Sequence, residues 1–210
     1  GGRLAAGTSI EARFPAVRLQ TAGSRFDGTV NLALEVGPDA KQEAVQRLGM
    51  GVLNRVMLRF SERFWPNERD AFGFVAGMHG EFPVFLNLDR FSSEIHGLCV
   101  LTAGDHARAI EGQTDSAIMD RTLQFLRTMF GNSLPQPTGF AMTRWGTDPF
   151  SRGSYSHWAM GCRSGDRNVL GETVNSRIYF AGEATHASYS GTLHGAYLSG
   201  LREAARILRI

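Results

Sequence analysis

Apolar and polar positions alternate most cleanly over residues 52–60 (VLNRVMLRF). Val52, Asn54, Val56, Leu58 and Phe60 fall on one face, and Leu53, Arg55, Met57 and Arg59 on the other. A period of two is the repeat of a strand, so the stretch predicts a half-buried strand with a basic edge. Three further strands are expected at 72–76, 82–88 and 97–102, separated by turns rich in Gly, Pro and Asp, and the four read together as an antiparallel sheet. Helical signals flank them. Pro38-Asp39 opens a helix over 40–48 with Asp39 as N-cap and Gly49 as stop, and Thr114 caps a helix over 115–130 that Gly131 ends. Nearer the start, residues 13–26 predict two short extended pieces around the turn cluster Thr21-Ala22-Gly23-Ser24.

The last stretch changes period. Residues 177–181 are a short apolar run bounded by Gly182, read as a buried strand with the Glu183 carboxylate at its end. After a looser segment, Leu193, Ala196, Tyr197, Gly200, Leu201, Ala204, Ala205 and Leu208 recur at helical spacing, which predicts a helix apolar on one side with Thr192 as its N-cap. A helix start offers unpaired N–H groups and a partial positive charge, so it suits a ligand atom that is or becomes negative. Glu183, an acceptor when ionised, suits sugar-like hydroxyls. On spacing alone the same unit serves any α/β protein.

Composition narrows the classes. The 210 residues, 42% hydrophobic, suffice to bury a core in one or two domains. A net charge of +2 from scattered basic residues gives no stripe for nucleic acid and no polybasic membrane patch. No apolar run reaches membrane-spanning length, and Gly1-Gly2-Arg3 is no signal peptide. Cys99 and Cys162 lack metal-ligand spacing and are expected to be free, buried thiols in a reducing compartment, which points to the cytoplasm. His157, His186 and His194 also lack metal spacing.

The string FAGEAT (180–185) followed by YSGTLHGAYLSGLREA (189–204) resembles the C-terminal FAD-binding signature of the flavin amine oxidases, the family of polyamine oxidases, monoamine oxidases and lysine-specific histone demethylases. RLGMGVLNRVMLRFSERFW and RWGTDPFSRGSYSHWAMG extend the resemblance over about residues 41–210. It implies an α/β (α+β) fold. Residues 1–40 and 146–210 would form part of an FAD-binding, Rossmann-like domain. Residues 41–145 would form a substrate-binding domain with a mixed, largely antiparallel sheet flanked by helices.

The implied chemistry is oxidation of a primary or secondary, polyamine-like amine to an imine, with hydride transfer to non-covalently bound FAD and dioxygen as the second partner. In that family the residue at Glu183 binds the ribityl or phosphate region of FAD, and backbone at Thr192 and Leu193 meets the pyrimidine edge of the flavin. Trp145 and Phe150 match aromatic positions that pack against or near the ring, and Tyr155 matches the residue lining the site beside it. By residue type alone Tyr155 reads first as a sheet tyrosine whose hydroxyl finds a polar partner. Ser154 stands where monoamine oxidases carry the cysteine linked to FAD, and a serine oxygen forms no such thioether. Thr192 replaces a second aromatic wall, which implies a roomier pocket.

Arg55 stands in Asn54-Arg55-Val56 where the family usually has a lysine that holds a water against flavin N5 and assists reoxidation. Arginine keeps the charge without the compact ammonium, so slower reaction with oxygen is expected. Two departures from the family pattern favour an alternative reading, a catalytically silent remnant or binding subunit. No GxGxxG unit is present, so an N-terminal FAD-binding segment would have to come from outside this chain. Residues 27–38 are also shorter than the family's Val- and Pro-rich run, as in a deletion or a junction in a partial gene.

Overall fold

The computed structural model describes residues 39–208 apart from 79, 93 and 94. The expected hairpin at 13–26, the 27–38 run and the opening Gly-Gly-Arg lie outside the described residues. The chain divides into two compact units, Val52–Thr147 and the pair of segments Gly1–Gly51 and Asp148–Ile210.

The unit Val52–Thr147 is built on a five-stranded sheet whose strands are β2 (Leu53–Arg59), β3 (Ala71–Gly73), β4 (Val84–Asn87), β5 (Gly97–Ala103) and β6 (Gly139–Met142). Their order is β3-β4-β5-β2-β6 and every pairing is antiparallel. The period of two holds in β2: Asn54, Val56 and Leu58 are buried while Arg55, Met57 and Arg59 are exposed. A strand and a helix here were not foreseen. Strand β6 completes an edge with too short a run for its alternation to show, and helix α2 (Gly104–Ile110) follows β5 directly.

Helix α3 (Asp115–Phe130) has the expected ends. Thr114 Oγ1 accepts from the Ala117 amide at 3.2 Å, and Gly131 takes φ +95°, a conformation costly for any other residue. Ile118, Leu123, Phe125 and Leu126 on α3 pack with Val56, Leu58, Phe85, Leu98 and Val100 from the sheet in one core. Rings of Phe60, Phe64 and Trp65 meet edge to face, and the indole N–H of Trp65 donates to Asn87 Oδ1 at 2.9 Å.

The second unit contains helices α1 (Asp39–Arg47), α4 (Asp166–Leu170) and α5 (Leu193–Leu208) and a two-stranded ribbon of β1 (Gly49–Gly51) with β7 (Tyr155–His157). Gly49 faces His157 so closely that a Cβ there would stand 2.3 Å from the ring, which is why the ribbon needs glycine. The Lys41 side chain is fully buried, and its ammonium donates to the carbonyls of Val169, Leu170 and Glu172 at 2.7, 2.6 and 2.8 Å. It thereby ends α4, whose last carbonyls have no helical partner. Arg47 binds Asp166 through Nε and Nη2 and holds that carboxyl below the usual carboxylate range.

Two expectations fail in this unit. Residues 177–181 form no strand beyond a single antiparallel bridge between Val174 and Ile178. Asn175 and Ser176 turn the chain at φ +51° and +54°, and no described strand lies beside the run to pair with it. Phe180 is still buried and Ile178 partly so, and both pack with Val45, Leu170, Val174 and Ala184.

The second concerns α5, whose apolar stripe is not the side that packs. Gly195, Ser199 and Glu203 are its buried residues, while Leu193, Tyr197 and Leu201 are 89%, 66% and 50% exposed. The helix is anchored by polar groups instead. The Gly182 amide donates to Ser199 Oγ at 2.8 Å, and Arg202 Nη2 donates to the Phe180 carbonyl and to Thr185 Oγ1 at 2.9 and 3.0 Å. No described helix is long and apolar enough to cross a membrane.

Candidate functional site

Glu183 sits in a short 3₁₀ turn, Glu183–Thr185, that follows Gly182 at φ +136°. The turn buries the carboxylate and aims it at β7. Oε1 accepts from the Ser156 amide at 2.7 Å, and Oε2 accepts from Ser156 Oγ at 2.8 Å and from the Gly191 amide. A carboxylate has about four acceptor sites, and among the described residues these donors fill three. Of the sequence-named residues, Tyr155 and Thr192 adjoin these donors in the chain. Tyr155 precedes Ser156 on β7, is 40% exposed, and has its ring beside Gly191, where a Cβ would meet it at 3.8 Å.

Thr192 follows Gly191. Its hydroxyl donates to the Tyr189 carbonyl at 2.6 Å and accepts from the Gly195 amide at 3.1 Å, so it caps α5 as its residue type predicts. The amides ahead of Gly195 lie in the turn where a helix has no internal acceptors. Leu193 begins the helix with its side chain exposed. Gly195 lets the cap close, because a Cβ there would stand 1.9 Å from the Tyr189 carbonyl oxygen. Ser154 is tied to β1, with its amide and hydroxyl both donating to the Gly51 carbonyl at 2.8 and 3.1 Å. The Phe150 ring is 46% exposed, on a turn in which its amide donates to Asp148 Oδ1 at 3.0 Å.

Arg55 and Trp145 belong to the unit Val52–Thr147. The Arg55 side chain lies on the exposed face of β2, and its amide donates to Thr143 Oγ1 at 2.8 Å. The Trp145 amide donates to Asn54 Oδ1 at 3.1 Å. A buried clamp holds both segments. Asn54 Nδ2 donates to Glu111 Oε1 at 2.6 Å, and that oxygen also accepts from the Gly146 amide at 2.8 Å. Gly146 admits the carboxylate, since a Cβ would meet it at 2.8 Å.

Sequence reasoning missed Glu111, Ser156 and Arg167. Ser156 lies next to a named residue, and its alternation with exposed Tyr155 on a strand marks it as inward-facing. Glu111 and Arg167 acquire their partners only through the fold. Burial pushes the Arg167 guanidinium down from its ordinary value, opposed by the Glu183 charge. Burial likewise pushes the Cys99 thiol up, whereas Cys162 is only half-buried and donates to the Arg47 carbonyl at 2.8 Å. Both cysteines are free, and among the described residues no group of acidic, His and Cys side chains could hold a metal.

Comparison with known proteins bears on this arrangement. The sequence pattern of the family described as flavin containing amine oxidoreductase matches residues 15–208. The chain is 43% identical over 180 residues to lysine-specific histone demethylase 1 homolog 1 of Oryza sativa subsp. japonica, covering 82% of this chain and 21% of that protein. It is 42% identical over 184 residues to the possible lysine-specific histone demethylase 1 of Drosophila melanogaster, covering 81% and 20%. With lysine-specific histone demethylase 1 homolog 3 of Oryza sativa subsp. indica it shares 36% identity over 216 residues, covering 99% and 25%. The chain thus spans about a fifth to a quarter of the length of these relatives.

Proposed function

The chain belongs to the flavin containing amine oxidoreductases, whose cofactor is FAD, and from that premise we propose that it contributes to FAD-dependent oxidation of a methylated lysine side chain in a polypeptide. Bound FAD would supply the acceptor for the hydride from the carbon beside the nitrogen, and water hydrolyses the resulting imine. The chain's own residues bind and orient. Glu183 offers its remaining acceptor site to a ribityl hydroxyl. The open amides at the start of α5 suit a flavin carbonyl edge, where the helix dipole favours negative charge. Tyr155 presents an aromatic face to the amine. The unit Val52–Thr147, with Arg55 and Trp145, serves as the substrate domain, and the other unit as part of the FAD domain.

The observation that carries this reading is the Glu183 carboxylate, buried and held by three donors that leave one acceptor site unfilled by the described residues, next to a half-exposed tyrosine and a capped helix start. That the amine is a lysine side chain rather than a free polyamine is supported by the relatives, which carry the name lysine-specific histone demethylase. Thr192 in place of a second aromatic wall leaves room for a bulkier substrate. A histone substrate would require the protein to reach chromatin.

The test is spectroscopic. Protein reconstituted with FAD should be yellow, and a peptide bearing monomethyl-lysine should bleach the flavin absorbance under anaerobic conditions faster than spermine does. Bleaching by spermine alone would restore the polyamine assignment. A colourless chain that takes up no added FAD would point to the silent binding module instead.

A further inference from the structure

We propose that Arg167 is a positioning residue for Glu183: through the Ser156 hydroxyl it fixes how the carboxylate is held, and so which acceptor site is left for a ligand. The consequence for FAD rests on the flavin reading above, whereas the positioning does not.

The Arg167 side chain is fully buried. Its Nη1 donates to Ser156 Oγ at 2.7 Å and to the Ala184 carbonyl at 3.2 Å, while Nε and Nη2, also buried, have no hydrogen-bond partner among the described residues. The Trp158 ring lies 5.4 Å from the guanidinium carbon. A guanidinium can only donate. Ser156 Oγ, accepting from it, must therefore send its own proton the other way, to Glu183 Oε2 at 2.8 Å. The hydroxyl becomes a one-way relay. With the Ser156 and Gly191 amides it presents the carboxylate with donors alone.

A buried guanidinium with two unmade hydrogen bonds costs folding free energy, more than a neutral side chain of similar volume would. The cost falls on a residue that reaches both Ser156, which donates to Glu183, and the carbonyl of Ala184, which follows it. A side chain that only filled space would need no charge there.

Amide hydrogen exchange on the flavin-free chain, followed by NMR, tests this directly. Arg167→Met should raise exchange at Ser156 and Gly191 by about tenfold relative to Val174 and Ile178, which lie in the same unit and do not bind Glu183, and Arg167→Lys should recover most of the protection. A uniform rise at all four amides would overturn the proposal, as would unchanged protection. If Arg167→Met does not fold, Arg167→Gln is compared in the native and Ser156→Ala backgrounds. Faster exchange at Gly191 in the native background alone supports the proposal, and an equal rise in both backgrounds, or none in either, overturns it. With FAD, Arg167→Met should weaken affinity about tenfold in the native background and less than about twofold in Glu183→Gln. Equal losses in both backgrounds would show that Arg167 does not act through Glu183. A native chain that takes up no FAD sinks the flavin reading and leaves the exchange data to decide the role of Arg167.

Discussion

Single residues carry most of what can be checked. Arg55 puts a planar, weakly hydrated cation on the exposed face of β2. If it occupies the oxygen-activating position, Arg55→Lys should speed reoxidation of reduced flavin, with stopped-flow absorbance as the measure; an unchanged rate would remove Arg55 from the site. Lys41 gives a pH prediction. Burial lowers its ammonium to about 8, against opposing pulls from Glu172 and Glu203, while the unfolded chain keeps the ordinary value of 10.5. Between these values the unfolded chain holds a proton that the folded one has released, so this group's contribution to stability rises with pH across that window and is smallest below pH 8. The urea midpoint of the native chain should therefore gain on that of Lys41→Met between pH 7 and pH 9.5.

At the scale of elements, α5 shows how a helix can be fixed by the side its hydropathy does not advertise. Thr192→Ala should cost about 1 kcal/mol through the lost cap. Gly195→Ala should cost more, about 1–3 kcal/mol, because helix and loop must separate to admit the methyl group. Tyr197→Ser with Leu201→Ser on the open side should leave this chain's stability within about 0.5 kcal/mol, as surface changes do. Thermal melts of the three variants check that order, and a larger loss from the open side would show that the stripe is covered. The apolar period was legible because Leu and Tyr announce themselves in sequence. Which side would pack was not, since it depended on a carbonyl at Tyr189 and an amide at Gly182 being brought up to Gly195 and Ser199.

At the scale of the whole molecule, the two units differ in how the chain builds them. Val52–Thr147 is continuous, with its own core between α3 and the sheet, so residues 52–147 expressed alone should unfold in one cooperative transition by circular dichroism. A non-cooperative melt would show that its core is incomplete. The other unit is assembled from segments far apart in sequence, joined where β1 meets β7 and where α1 meets α4 through Lys41 and Arg47.

That difference divides what the sequence determined from what the fold decided. Alternation alone set the faces of β2, and residue type alone set the caps of α3 and α5, because strand pitch, helix pitch and capping are local properties of a few neighbouring residues. FAGEAT likewise put a carboxylate ahead of the α5 cap. The donors around Glu183, the clamp of Glu111 on Asn54 and Gly146, and the burial of Arg167 were decided by tertiary structure. Each depends on backbone amides and side chains brought together from distant segments, and a buried polar group has no sequence signature until the fold supplies its partner.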